Sequence, residues 1–177
     1  MIYQIDQSGK IEQTNKDTVL GYSNSHTKAV RIPRRLKRKI QEVFHIHGFT
    51  SLFVYYLFSV GIFYLIKDFK SKQEIIIDIE YPGKDKIISN FLEKFNQLTH
   101  SIRFARIGNT PPAHYAAKDV FDKKKLPDKT LNLEDIIKAL KKTDGRLREC
   151  LSTLVDAQSR SINKHYHKKK KKSRIKR

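Results

Sequence analysis

Two acidic residues stand in the most strand-like stretch of the chain, where side chains are expected to be buried. In residues 74–81, EIIIDIEY, Asp78 follows three isoleucines and Glu80 follows a fourth. Because they lie two residues apart on a predicted strand, their carboxylates share one face. Acids in a buried strand are costly unless they are paired or bind a metal. Carboxylates that hold Mg²⁺ or Mn²⁺ can activate water and stabilise a leaving oxygen on phosphate, so the pair predicts metal-dependent phosphodiester chemistry.

An ordinary structural role explains the same two acids. If the strand ends early, the residues YPGK begin a loop, and Asp78 and Glu80 form ion pairs with Lys84 or Lys86. Both interpretations remain open from the sequence.

The charge of the chain points to a polyanionic partner. Its 177 residues carry a formal net charge of +19, with 38% hydrophobic and 31% charged residues. This composition is typical of a globular domain with a strongly basic surface. Nucleic acid is the first expected partner and an anionic membrane the second.

The positive charge is concentrated in two segments. Residues 31–39, RIPRRLKRK, hold six basic residues, and residues 164–177 hold nine and no acid. Phosphate contacts from such segments supply affinity and salt dependence rather than sequence choice. The predicted nucleic-acid contacts are Arg31, Arg34, Arg35, Lys37, Arg38, Lys39, Lys168, Lys169, Lys170, Lys171 and Lys172.

Hydrophobic periodicity predicts an α/β fold. Three short strands connected by turns favour an antiparallel meander, and helices and strands then alternate. The predicted strands cover 1–6, 18–24, 27–33, 74–81 and 101–108, and the predicted helices cover 34–44, 84–98 and 111–121.

An uncharged segment of nineteen residues, 48–66, allows two interpretations. Its length suffices to cross a bilayer, which would make the protein membrane-attached. The strand-like run that follows it favours a helix buried against a sheet instead.

The C-terminal part of the chain predicts a helical extension. A linker, DKKKLPDKT, precedes two helices within 131–163, and Asn132 is the expected N-cap of the first. The expected organisation is a core over 1–125, an extension over 126–163 and a disordered polybasic tail over 164–177. A single cysteine, Cys150, excludes an internal disulfide, and a cytoplasmic location is expected.

The order of three strands, helix, strand, helix, strand and helix resembles the ribonuclease H-like superfamily over residues 1 to about 122. The opening YQIDQSG looks like that of the type 2 ribonucleases H, which place an Asp-Glu pair before a turn of small residues. Gln7 stands here in place of the glutamate, so one expected ligand is absent. The resemblance implies a mixed sheet in which the first and fourth strands are neighbours.

The resemblance also implies which residues bind metal. Carboxylates on the first strand, the fourth strand and the last core helix correspond to Asp6, Asp78 and Asp119. Glu80 or Asp122 would assist, and His114 would help with proton transfer. Each has an alternative role: Asp6 as a turn former, Asp119 and Asp122 on an exposed helix face, and His114 in packing.

Together these features predict a divalent-metal-dependent nuclease that acts on RNA, an RNA–DNA hybrid or branched DNA. The alternatives are a nucleic-acid-binding protein of the same fold without catalysis, or a membrane-attached protein.

Overall fold

Six strands form one mixed sheet in the computed structural model, which describes residues 2–70, 72–95, 100–108, 112–143 and 145–156. The strands are β1 (Ile2–Ser8), β2 (Thr18–Ser23), β3 (Thr27–Ile32), β4 (Glu74–Ile77), β5 (Ser101–Phe104) and β6 (Lys129–Thr130). Their order across the sheet is β5-β4-β1-β2-β3-β6. The predicted α/β class and the antiparallel β1-β2-β3 meander are confirmed.

Parallel pairing extends the meander on both sides. β4 pairs with β1 and β5 pairs with β4, both in the parallel orientation. The first and fourth strands are therefore neighbours. β6 lies in the stretch that the sequence indicated as a linker, and it pairs in parallel with the other edge at β3.

Helices cover both faces of this sheet. They are α1 (Arg34–Ile46), α2 (Leu52–Ile66), α3 (Asp85–Phe95), α4 (Pro112–Phe121) and α5 (Leu133–Leu140). Neighbouring residues of β2 separate the two faces: Gly21 lies against the backbone of α4, whereas Leu20 lies against Gly61 of α2. The side chains on the α2 face form the main hydrophobic core, and a smaller cluster forms under α4.

Most of the uncharged segment 48–66 folds as the buried helix α2, which begins at Leu52. Eleven of its 15 residues are buried, and the hydroxyl of Tyr56 donates to the carbonyl of Ile136 in α5. Within the described ranges, no helix has both the length and the apolar character that crossing a bilayer requires.

The extension shares the core of the domain. Leu131, Ile136 and Leu140 are buried in the same cluster as α2, and residues 149–156 are helical. The predicted cap of α5 is confirmed, since Asn132 and Asp135 form a reciprocal capping box. The predicted polybasic tail, 164–177, lies outside the described residues.

Candidate metal centre

Parallel pairing of β1 and β4 brings two carboxylates together. Ile5 is the register partner of Ile77, and the backbone N–H of Asp78 donates to the carbonyl of Ile5 at 2.9 Å. Asp6 directly follows Ile5, and Asp78 directly follows Ile77. The two acids therefore lie side by side. Asp6 is only 5% exposed.

Glu80 joins them, although not for the reason expected from the sequence. The strand ends at Ile77, so Asp78 and Glu80 do not occupy one face of a longer strand. The chain bends at Glu80 instead. Even so, one carboxylate oxygen from each of Asp6, Asp78 and Glu80 lies within 4.8 Å of the others. We call these three residues the acidic cluster.

The alternative pairing with lysine is not formed by the described residues. Neither Asp78 nor Glu80 has an ion pair with Lys84 or Lys86; Lys84 instead places its ammonium 5.8 Å from the centre of the Tyr55 ring. Asp78 is held by the backbone, because its Oδ1 accepts from the N–H of Ile107 at 2.9 Å.

Asp6 is held by two neighbours. Its Oδ1 accepts from the backbone N–H of Gln7 at 2.6 Å, and its Oδ2 lies 2.9 Å from Nδ1 of His114. Since a carboxylate has about four lone-pair sites, both oxygens retain acceptor capacity. The arrangement orients Asp6 and leaves it able to bind a cation.

Gly21 explains how His114 reaches Asp6. In the antiparallel register Gly21 is the partner of Asp6, so both residues lie on the α4 face of the sheet. A Cβ atom at Gly21 would lie 2.6 Å from the backbone nitrogen of Ala117. The missing side chain therefore allows α4 to approach the strands closely, with His114 on its first turn.

Burial, and to a smaller extent the charge of neighbouring acids, shifts Asp6 and Glu80 toward their neutral forms. Desolvation raises the pKa of Asp6, against the lowering effects of the Gln7 amide and of His114. The pKa of Glu80 is raised to about 7, first by desolvation and then by the charges of Asp6 and Asp78, while Lys10 opposes the shift. A divalent cation bound between Asp6, Asp78 and Glu80 would offset this cost of ionising Asp6 and Glu80.

Asp119 and Asp122 do not belong to the acidic cluster. Asp119 forms an ion pair with Lys125 at 3.3 Å, and Asp122 pairs with Lys118 at 3.5 Å. Asp119 lies five residues after His114, which is about 7.5 Å further along the helix, and this moves it away from Asp6. Both acids thus adopt the alternative role on the helix surface, paired with lysines.

Gln7 is directed away from the acids. Because side chains alternate along β1, it lies on the opposite face from Asp6. Its amide Nε2 lies 3.5 Å from the hydroxyl of Tyr81. The position that resembles a glutamate ligand is therefore not part of the cluster.

One of the predicted nucleic-acid contacts is buried. Lys37 has no exposed surface, and its ammonium donates to the carbonyls of Lys10 and Gln13 and to the hydroxyl of Thr18. Its prediction as a phosphate contact was wrong, because the side chain anchors the β1–β2 loop. Arg34, Arg35 and Arg38 are exposed and Arg31 and Lys39 are partly exposed, whereas Lys168, Lys169, Lys170, Lys171 and Lys172 lie outside the described residues.

The donor set of the acidic cluster fits a hard cation. Three carboxylates offer only oxygen, which suits Mg²⁺ or Mn²⁺ better than zinc. No pattern in the sequence indicated two groups that contribute to the site. They are the backbone amide of Ile107, which donates to Asp78, and Lys10, whose charge lowers the pKa of Glu80. Both depend on how loops fold over the end of the sheet.

Comparison of the chain with protein-family models, with curated proteins and with solved structures gave no match in any of the three searches.

Proposed function

We propose that the protein is a divalent-metal-dependent nuclease that acts on RNA, an RNA–DNA hybrid or branched DNA. The observation that carries the proposal is the convergence of Asp6, Asp78 and Glu80 to within 4.8 Å. Nucleic acid is the favoured substrate because the net charge of +19 attracts polyanions.

The topology supports a ribonuclease H-like interpretation. The resemblance implies neighbouring first and fourth strands with a carboxylate on each. Here β1 pairs with β4, and an acid follows the paired positions of each strand. The departures are Gln7 and Asp119, which leave three carboxylates from two strand ends and no acid from α4.

The side chains of the cluster have separable tasks. Asp6, Asp78 and Glu80 would hold Mg²⁺ or Mn²⁺, and a cation bound there supplies an activated water and stabilises charge on the leaving oxygen. His114 orients Asp6 through its imidazole. Since its pKa is raised to about 7, Glu80 is partly protonated at neutral pH and would release that proton when a cation binds.

The test compares Asp78→Asn with Asp122→Asn, an exposed acid outside the cluster. Wild type is incubated with labelled single-stranded RNA, an RNA–DNA hybrid and a four-way DNA junction, with Mg²⁺, Mn²⁺ or EDTA. We expect metal-dependent cutting of at least one substrate, a loss of about 100-fold or more in Asp78→Asn, and full activity in Asp122→Asn. Substrate binding should persist in both variants.

A nucleic-acid-binding protein without catalysis is the second candidate. The observation that favours it is that Asp119 and Asp122 are engaged by lysines, so that a fourth acid is missing from the described site. This candidate predicts binding that is the same in EDTA and in Mn²⁺. Calorimetry that detects no cation binding to wild type would reject the nuclease and favour this second function.

A further inference from the structure

A cleft of about 640 Å³ lies on the other face of the sheet from the acidic cluster. It is formed by the end of α2, by β6 and by α5. Its lining combines two aromatic rings with five lysines and one acid: Phe63, Tyr64, Lys67, Lys129, Lys138, Lys141, Lys142 and Asp135.

The position of this cleft separates it from the acidic cluster. Asp6 lies on the α4 face, as its register partner Gly21 shows, whereas α2 and α5 pack together on the opposite face. In addition, β6 is three strands away from β1, which corresponds to about 14 Å at the usual strand spacing. A ligand in the cleft would therefore leave the cluster accessible.

The aromatic rings hold two of the lysines in place. The Lys142 ammonium lies 4.7 Å from the centre of the Phe63 ring, and the Lys129 ammonium lies 4.8 Å from that of Tyr64. Lys142 also donates to the carbonyl of Phe95 at 2.7 Å. Since an ammonium has three N–H donors, donors remain for a ligand after these contacts.

The charge of the cleft remains positive after its internal pairs are counted. Lys67 pairs with Asp68, Lys129 with Asp135 and Lys138 with Glu134. Within the described residues, Lys141 and Lys142 have no acidic partner. Exposed pairs such as Lys138–Glu134 are weak, so a phosphate can compete for their lysines.

We propose that this cleft binds a single-stranded segment of nucleic acid. Lysines along a groove that also contains aromatic side chains are the usual means of gripping a single strand. Here the ammonium groups would contact phosphates and the partly exposed ring of Phe63 would contact a base, whereas Tyr64 is buried and positions Lys129. A concave site with an aromatic floor fits a flexible strand better than a flat lipid surface. The inference concerns a second contact surface and does not require that the acidic cluster cut its substrate.

The test uses full-length protein in EDTA and a fluorescent oligonucleotide of twelve uridines. The cleft variant, Lys138→Gln/Lys141→Gln, removes two exposed positive charges from the cleft. The control variant, Lys86→Gln/Lys118→Gln, removes two positive charges from α3 and α4 instead. We expect the cleft variant to bind about tenfold more weakly than the control variant. The slope of log Kd against log salt should fall by about 1.4, as for two lost phosphate contacts on a single strand.

Equal affinities for the two variants would overturn the proposal, because the lysines would then act only through net charge. It would also be overturned if the cleft variant lost binding to an acidic peptide or to anionic vesicles but not to the oligonucleotide. Asp78→Asn separates the two sites: it should bind the oligonucleotide like wild type, whereas the cleft variant should bind Mn²⁺ like wild type.

Discussion

The imidazole Nδ1 of His114 lies 2.9 Å from Oδ2 of Asp6, across the contact between α4 and the sheet. This contact lowers the pKa of Asp6 against the effect of burial, so it favours the charged form that can bind a cation. His114 thus acts on the cluster by orienting Asp6 and by partly offsetting the effect of burial on its pKa.

Replacement of His114 by alanine should weaken Mn²⁺ binding by about 10-fold to 100-fold, as is usual when a side chain that supports a metal ligand is removed. The expected cause is a further rise in the pKa of Asp6 together with a loss of its orientation. Calorimetric titration with Mn²⁺ measures the effect. His26→Ala, at an exposed turn, is the control and should leave the affinity unchanged.

Glu80→Gln should affect stability and cation binding in opposite directions. The folded-state pKa of Glu80, about 7, is above its ordinary value of 4.5. The folded protein therefore binds this proton more tightly than the unfolded chain, and the associated stability is lost as the pH rises through about 7. Because glutamine is neutral at every pH, Glu80→Gln should be more stable than wild type at pH 8 in EDTA.

Urea unfolding at pH 5.5 and pH 8 provides the measurement, with and without Mn²⁺. Added Mn²⁺ should stabilise wild type at pH 8 and have a much smaller effect on Glu80→Gln. A variant that is less stable than wild type at pH 8 in EDTA would contradict the unfavourable effect of burial and of the two acidic neighbours on ionised Glu80.

Local patterns explain why the sequence predicted part of this site. The alternation and turn residues of the first three strands indicate the meander, and the apolar run before Asp78 indicates a central strand. The adjacency of Asp6 and Asp78 came from the resemblance, and the pairing of β1 with β4 agrees with it.

The remaining features depend on tertiary geometry that periodicity does not encode. Asp119 and His114 belong to one predicted helix, but only the packing of α4 decides which of them meets Asp6. The sequence indicates that Lys37 is a surface residue, because its neighbours are basic. Its burial follows from the β1–β2 loop, whose carbonyls surround the ammonium.

Gly21→Ala should weaken cation binding by the acidic cluster without changing any of its residues, because it moves His114 away from Asp6. The new Cβ would meet backbone atoms of α4, 2.6 Å from the nitrogen of Ala117, so the helix must move away from the sheet. We expect a loss of about 3 kcal/mol in stability, typical of overpacking, and weaker Mn²⁺ binding. Gly61→Ala is the control, because its Cβ would meet a side-chain atom of Leu20 that can rotate. Equal Mn²⁺ affinities in the two variants would show that the position of α4 does not matter to the site.

Lys37→Met should destabilise the fold and leave nucleic-acid binding unchanged. The substitution removes the donor to the partly buried carbonyls of Lys10 and Gln13 and to the buried hydroxyl of Thr18, and acceptors shielded from water without a donor are costly. We expect a loss of about 3 kcal/mol in urea unfolding. Lys39→Met, two residues further along α1 and partly exposed, should show the reverse: near-normal stability and weaker oligonucleotide binding with a smaller salt dependence. Reduced binding by folded Lys37→Met protein would mean that this buried ammonium does contact the ligand after all.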